Sequence, residues 1–193
     1  MSRTASTALA GALACALLSP LAAVAATPPA WIVDKATSSL RFTSSMAGES
    51  FTGAFRRWDA DIRFDPANLP ASSVTVTIDV ASAATGNPDR DQALPTATFL
   101  DAPAFPRATF VAHHFTALGA GRYQADGVLT LRGVGKPLSL PFTLAIQGGQ
   151  ARMTGQVAIN RLAFGVGQDE WKATTTIPAA VAVAVAITAR RAP

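Results

Sequence analysis

Strict alternation of apolar and polar residues in the middle of the chain constrains the fold more than any other feature. Apolar side chains occupy every second position of two adjacent runs: Leu129, Leu131, Leu138, Leu140, Phe142, Leu144 and Ile146. Gly133, Gly135 and Pro137 lie between the runs. A period of two places successive side chains on opposite faces of a strand, and a glycine-containing connection between two such runs is typical of an antiparallel hairpin. The pattern contains no catalytic motif, so we expect the function to depend on what the sheet encloses.

The same alternation recurs along the rest of the chain. Further strand patterns centre on Leu40 and Phe42, Phe51 and Phe55, Ile62 and Phe64, Val74 to Val80, Phe110 to Phe115, Met153 to Ile159, and Val181 to Ile187. About eight short strands with turns between them predict an all-β fold, an antiparallel barrel that closes on itself. The stretch from Asp89 to Phe105 is too rich in proline for a central strand. We expect a short helix or turn near residues 91–100, inserted as a cap over one mouth of the barrel.

The N-terminus has the pattern of an export signal. Arg3 precedes an uncharged stretch rich in Ala and Leu, which ends in the small-x-small sequence of residues 23–25. This predicts a secretory signal peptide over residues 1–25, a single barrel domain over residues 26–193 and a periplasmic location. A membrane-spanning anchor is the first alternative, although Pro20 interrupts the stretch. A lipid anchor on Cys15 is the second.

Composition excludes several classes of function. Cys15 is the only cysteine, so the mature chain has no disulfide scaffold, thiolate zinc site or cysteine nucleophile. The net charge of +4 falls to +3 when Arg3 is removed with the leader. Because that charge is small and its basic residues are scattered, we expect no nucleic-acid partner.

Candidate catalytic groups are few. His113 and His114 are the only histidines, and neighbours on a strand are expected to point to opposite faces, so they would not bind one metal together. The chain has neither a Gly-x-Ser-x-Gly elbow nor a His-Glu-x-x-His motif. Acidic pairs such as Asp89 and Asp91 are typical of turns. We therefore predict a protein that is not an enzyme and needs no metal or cofactor.

Taken together, the motifs of the mature chain resemble the YceI-like family. The resemblance rests on Trp31, Asp34, Leu40 and Phe42; Gly53 and Phe55; Phe64 and Asp65; Arg90, Asp91, Leu94 and Phe99; Phe105, Pro106 and Phe110; Gly127, Arg132, Gly133, Lys136 and Pro137; and Asn160, Arg161, Phe164 and Gly165. It implies a lipocalin-like barrel, exported by bacteria, that binds a polyisoprenoid lipid. The family commonly carries histidines where this chain has Thr37 and Ala93. The resemblance thus bears more on the fold and an apolar ligand than on contacts to a polar head group.

Candidate ligand-binding residues fall into two sets. An eight-stranded barrel either fills its interior with side chains or holds one small ligand, so each apolar candidate either lines a cavity or packs the core. The apolar set is Phe42, Phe55, Phe64, Phe99, Phe110, Leu129, Leu131, Phe142, Phe164 and Trp171. The polar set is Arg90, Asp91, Asn160, Arg161 and His114. As an alternative to a head-group contact, the charged members form a buried ion pair that ties the proline-rich segment to the barrel.

The sequence therefore predicts a periplasmic protein that encloses an isoprenoid lipid, of the polyprenyl or quinone type, and leaves it chemically unchanged. The alternative is an interaction module with a filled barrel that contacts a membrane electron-transfer protein. Ala182, Ala184 and Ala186, on one face of the last predicted strand, are the basis of that alternative. The same face also fits an ordinary surface that tolerates alanine.

Overall fold

Eleven β-strands and one α-helix follow one another in residues 27–193, the part of the chain that the computed structural model describes. The strands are β1 (Ala30–Val33), β2 (Ser39–Met46), β3 (Glu49–Phe55), β4 (Trp58–Arg63), β5 (Ser73–Asp79), β6 (Ala83–Ala84), β7 (Arg107–Gly119), β8 (Arg122–Leu131), β9 (Val134–Gln147), β10 (Gln150–Asn160) and β11 (Ala180–Arg191). The helix α1 spans Pro88–Ala93, and short 3-10 helices span Leu69–Ala71, Val80–Ser82, Arg161–Phe164 and Asp169–Lys172. The predicted leader over residues 1–25 lies outside the described residues.

The strands close into an antiparallel barrel. Their order is β1-β4-β5-β7-β8-β9-β10-β11, and β11 pairs back onto β1. β2 also pairs with β11, β3 pairs with β2, and β6 pairs with β3. The segments β1 and β2, β3 and β4, and β5 and β6 thus behave as three bent strands, so the barrel has eight strands in all. This confirms the predicted all-β barrel of about eight strands.

The central hairpin is present, and its turn is tighter than the sequence suggests. β8 and β9 pair from Leu131 opposite Val134, and only Arg132 and Gly133 connect them. Both residues have positive φ, 50° and 71°, as a two-residue hairpin turn of this hand requires. Pro137 pairs with a residue of β8 inside the ladder instead of lying in the turn. The alternation from Leu138 onward continues without a break, which keeps one face of β9 on the barrel interior.

The proline-rich insertion forms the predicted cap. α1 begins after Asn87, whose Oδ1 accepts a hydrogen bond from the backbone N–H of Arg90 at 3.0 Å. Pro88 occupies the first turn, where a missing N–H costs nothing. Turns follow as far as Phe105, and the side chain of Leu100 in this stretch is buried against the barrel core. The predicted insertion near residues 91–100 is therefore confirmed, with its helix starting slightly earlier.

The alanine-rich face of β11 lies among small and polar neighbours. Ala182 pairs with Ala158 and Thr43, and Ala184 pairs with Gln156 and Arg41. Ala184 is exposed. Among residues 27–193, no helix combines the length and hydropathy that crossing a membrane would need.

Candidate functional site

The interior of the barrel contains an apolar cavity of about 290 Å³. Its volume is close to the lower end of the roughly 300–1,000 Å³ typical of small-molecule sites. Eight of the ten predicted apolar residues line it: Phe42, Phe55, Phe64, Phe99, Phe110, Leu129, Leu131 and Phe142. The structure therefore brings most of the apolar set together around one space.

The cavity is long and follows the strands. Leu138 and Ile146 both line it and lie eight residues apart on β9. With a rise of ~3.4 Å per residue and a tilt of ~40°, this separation corresponds to roughly 20 Å along the barrel axis. The shape suits a narrow, extended ligand better than a compact one.

Aromatic rings build the walls at both ends of the cavity. Phe64 contacts the rings of Phe115, Tyr123 and Phe142 edge-on, with centroid separations of 5.3, 5.6 and 6.1 Å. Toward the other end, Phe42 and Phe55 lie 5.4 Å apart. Rings that are locked against each other in this way give a rigid apolar wall.

Polar side chains are scarce in the lining. The indole of Trp31 lines the cavity, and its N–H donates to the carbonyl of Phe64 at 2.9 Å. Apart from Trp31 and Trp58, only Ser44 and Arg161 bring a polar side chain to the wall in the described part of the chain. No carboxylate, imidazole or thiol faces the cavity from residues 27–193.

Arg161 is held by backbone carbonyls. It is only 3% exposed, and burial lowers the pKa of its guanidinium. It donates hydrogen bonds to the carbonyls of Val166 (2.8 Å), Trp171 (2.7 Å), Ile177 (2.8 Å) and Pro178 (3.0 Å). No carboxylate of residues 27–193 forms an ion pair with it. Arg161 thus fastens residues 166–178 over one end of the barrel, whereas the sequence suggested a head-group contact or an ion pair to the proline-rich segment.

Three other predicted residues lie outside the lining. Phe164 is 4% exposed and packs in the core. Trp171 contacts the ring of Phe99 with centroids 5.7 Å apart. Asn160 caps the 3-10 helix that follows β10, because its Oδ1 accepts from the backbone N–H of Leu162 at 3.0 Å. Phe164 and Trp171 therefore pack against lining residues, whereas Asn160 satisfies the local backbone.

Arg90 and Asp91 organise the start of α1. The Asp91 carboxylate accepts from the hydroxyl of Thr85 (2.7 Å), from its backbone N–H (2.6 Å) and from the N–H of Gly86 (3.3 Å). The hydroxyl of Thr85, followed by its N–H, lowers the pKa of Asp91. Arg90 donates to the same hydroxyl, and its guanidinium lies 4.6 Å from the ring centroid of Phe51. Phe51 lines the cavity, so Arg90 lies next to a lining residue without lining the cavity itself.

The histidines lie on a β-bulge. The pairing of β7 with β8 shifts between Ala112 and His114, and both His113 and His114 are exposed. The expectation that they point to opposite faces is therefore wrong, because the bulge interrupts the alternation. His114 lies outside the cavity lining. No cluster of three or more metal-binding side chains occurs within residues 27–193.

Several lining residues are absent from the sets predicted from the sequence. Ser44 follows Phe42 by two positions and therefore shares its face of β2. Because serine is polar, it is not counted among the candidate lining residues. Val166 and Ile177 lie in irregular segments, where no periodicity reveals which way a side chain faces. Of these three residues, only Ser44 could have been identified from the alternation.

This chain is similar to known proteins in sequence and in structure. A UPF0312 protein of Vibrio cholerae is 32% identical over 168 residues, which cover 86% of this chain and 77% of that protein. The crystal structure of BcnA from Burkholderia cenocepacia superposes with a TM-score of 0.78 at 32% identity, covering 81% of this chain and 98% of BcnA.

A more distant structure has the same fold. It is a polyisoprenoid-binding domain from Saccharophagus degradans implicated in plant cell wall breakdown, with a TM-score of 0.67. It is 15% identical and covers 85% of this chain and 99% of that domain. The sequence profile of the YceI-like domain matches residues 31–189, and this chain therefore belongs to the YceI-like family.

Proposed function

We propose that this protein binds an isoprenoid lipid, of the polyprenyl or quinone type, inside its barrel and releases it chemically unchanged. The observation that carries the proposal is the apolar cavity of about 290 Å³ along the barrel axis. The description of the Saccharophagus degradans domain as polyisoprenoid-binding supports the same class of ligand.

Hydrophobic burial accounts for the affinity. At about 0.8 kcal/mol per buried methylene equivalent, one five-carbon isoprene unit contributes about 3–4 kcal/mol before costs. The loss of translational and rotational freedom on association costs about 4–15 kcal/mol, and ordering of side chains adds to this. A few enclosed units are therefore enough for measurable binding. A branched hydrocarbon chain also suits the apolar lining, which includes Phe64 and Phe142, better than a polar molecule of the same length would.

The chemistry of the lining favours binding over turnover. General acid–base or nucleophilic catalysis requires a titratable or nucleophilic group within reach of the ligand. Arg161, the one charged lining residue of the described chain, is committed to backbone carbonyls. A carrier or reservoir needs no such group.

The first experiment identifies the ligand. The protein is expressed with residues 1–25, the proposed export signal, and purified from the periplasmic fraction. Its bound molecules are then measured by native mass spectrometry. We expect an isoprenoid mass that disappears on denaturation and returns when the lipid is added back. Recovery of the protein in the cytoplasm only would contradict export. A barrel that carries no lipid and ignores added isoprenoids would defeat the proposed function.

A pair of variants on adjacent residues tests the location. Val183 lines the cavity and Ala184, the next residue on β11, is exposed on the other face. Val183→Phe fills part of the cavity and should weaken isoprenoid binding at least tenfold, whereas Ala184→Phe should leave binding unchanged. Near-ultraviolet circular dichroism of both variants reports whether the fold is intact. Equal effects of the two substitutions would place the ligand outside the barrel.

A further inference from the structure

One buried hydroxyl in the cavity wall has no partner. Ser44 lies on β2 between Phe42 and Met46 and lines the cavity. Its Oγ is buried and forms no hydrogen bond with any group of residues 27–193. Buried hydroxyl groups are nearly always paired, because leaving one unpaired costs free energy. An alanine at this position would avoid that cost, which makes the hydroxyl a candidate for a role in binding.

The hydroxyl lies at the end of the cavity that residues 166–178 cover. Ser44 pairs with Phe51, and its neighbour Thr43 pairs with Ala182 near the start of β11. The turn after β2 is tied to the covering segment, since the backbone N–H of Ala47 donates to Thr176 O at 2.9 Å. The Ser44 hydroxyl is therefore placed at a closed end of an apolar tube and not along its middle.

The surroundings select an uncharged partner. An ionised group buried in an apolar cavity is strongly penalised unless it is paired. The one counter-ion that the lining of the described residues offers to an anion is the guanidinium of Arg161, and its N–H groups donate to four backbone carbonyls. A hydroxyl or carbonyl oxygen needs no counter-ion and satisfies the Ser44 Oγ with one hydrogen bond.

We infer that the bound lipid carries an uncharged oxygen function, a hydroxyl or a carbonyl, that shares a hydrogen bond with Ser44 Oγ at the covered end of the cavity. The inference rests on the proposed function and adds an orientation to it. The polar end lies at the covered end of the cavity, and the hydrocarbon tail extends toward Leu144 and Ile146.

The test compares four probes that differ in their polar end: geranylgeraniol, a naphthoquinone with a geranylgeranyl tail, geranylgeranyl phosphate, and the hydrocarbon squalene. Binding is measured through the fluorescence of the lining residues Trp31 and Trp58 and checked by native mass spectrometry. The wild-type protein should bind the alcohol or the quinone at least tenfold more tightly than the phosphate. Ser44→Ala should weaken binding of that oxygen-containing probe about tenfold, the value of one hydrogen bond whose loss leaves an oxygen unpaired. The same substitution should leave squalene binding unchanged.

A matched control and a second readout separate binding from folding. Ser45 is the next residue on β2 and lies on its opposite face, so Ser45→Ala should change none of the four affinities. Without ligand, Ser44→Ala should raise the melting temperature, because it removes a buried hydroxyl that lacks a partner. A purely structural hydroxyl would instead lower the melting temperature and weaken all probes equally.

Three results would overturn the inference while leaving the proposed function intact. They are equal binding of the alcohol and quinone by the Ser44→Ala and wild-type proteins, a parallel loss of squalene binding in Ser44→Ala, and a preference for geranylgeranyl phosphate in the wild-type protein. Failure of the wild-type protein to bind any of the four probes would overturn both.

Discussion

The ring of Phe42 packs over the backbone of Gly53, its partner on the neighbouring strand. A β-carbon at Gly53 would lie 2.2 Å from the Cζ atom of that ring and 2.7 Å from both adjacent ring carbons. Phe42 also lines the cavity and is 9% exposed. The absence of a side chain at position 53 therefore sets the position of a ring in the cavity wall.

Gly53→Ala should destabilise the protein by about 1–3 kcal/mol, because the ring must leave its present rotamer or the strands must move apart. Urea unfolding gives the free energy. The control is Gly135→Ala, where the nearest atom of another residue would be 3.4 Å from the new β-carbon and the backbone needs no positive φ. That substitution should be neutral or slightly stabilising.

Coupling between the two sites gives a stricter check. In the double variant Phe42→Ala, Gly53→Ala the clash is gone, so its destabilisation should be smaller than the sum of the two single changes. Strict additivity would mean that the ring does not determine the cost at position 53.

Arg161 should be one of the most sensitive positions in the chain. Arg161→Met leaves four carbonyls, one buried and three part-buried, without their side-chain donor, and we expect a loss of about 3–5 kcal/mol in the free energy of unfolding. Arg161→Lys should recover little of this, since one ammonium group does not reproduce the planar fork. Hydrogen exchange should become faster in residues 166–178 before the rest of the barrel responds.

The exposed Arg152 on β10 provides the control for charge. Arg152→Met should change stability by no more than about 0.5 kcal/mol. If Arg161→Met changed the free energy of unfolding as little as Arg152→Met does, the contacts of Arg161 with the carbonyls would not be what holds residues 166–178 in place.

Period-two alternation was sufficient to predict the barrel and most of its lining. Leu138, Leu140 and Phe142 face the cavity because each follows the last by two positions on an unbroken strand. The same rule fails where the strand is irregular. At the bulge beside Ala112 both histidines become exposed, and no local residue pattern marks that shift.

Polar contacts were harder to predict than apolar ones. The carbonyls that accept from Arg161 come from residues up to 17 positions away, and they converge only after the segment has folded back over the barrel. Asp91 looked available for a ligand, yet it is occupied by the hydroxyl and N–H of Thr85. A sequence identifies which residues have hydrogen-bonding groups, but tertiary structure decides whether those groups remain free.

Asp91 predicts a stability that depends on pH. Its pKa is lowered in the folded state, first by the hydroxyl of Thr85 and then by the N–H of the same residue. The carboxylate therefore contributes stability above its unfolded pKa of about 3.9, and this contribution is lost as the pH falls through the folded pKa. Urea unfolding should show wild type more stable than Asp91→Asn at about pH 6, with a difference that shrinks as the pH falls below about 3.9.

Thr85→Val serves as the partner variant, since it removes the hydroxyl that contributes most to the shift. The loss of stability caused by Asp91→Asn should be smaller, and less dependent on pH, in the Thr85→Val background than in the wild-type background. If the loss of stability caused by Asp91→Asn were the same at every pH, the charge of the carboxylate would not contribute to stability.

Arg132 connects the central hairpin to the cap, and its loss should loosen that end of the barrel. Its Nη1 donates to the carbonyls of Ala97 and Phe99, each at 2.6 Å, and the ring of Phe99 lines the cavity. The asparagine in Arg132→Asn tolerates the positive φ of the turn, but its side chain is too short to reach the cap. We expect faster hydrogen exchange in residues 96–101, with the exchange of β8 and β9 unchanged.

For a bound isoprenoid, association and dissociation rates should both rise by several-fold while the affinity changes little, because the cap controls access more than it contributes contact area. As the control, Lys136→Asn removes a charge from the same hairpin at an exposed position, and it should alter neither hydrogen exchange nor the binding rates. If the two substitutions had equal effects, the loss of charge would be the cause and not the loss of the contacts with the cap.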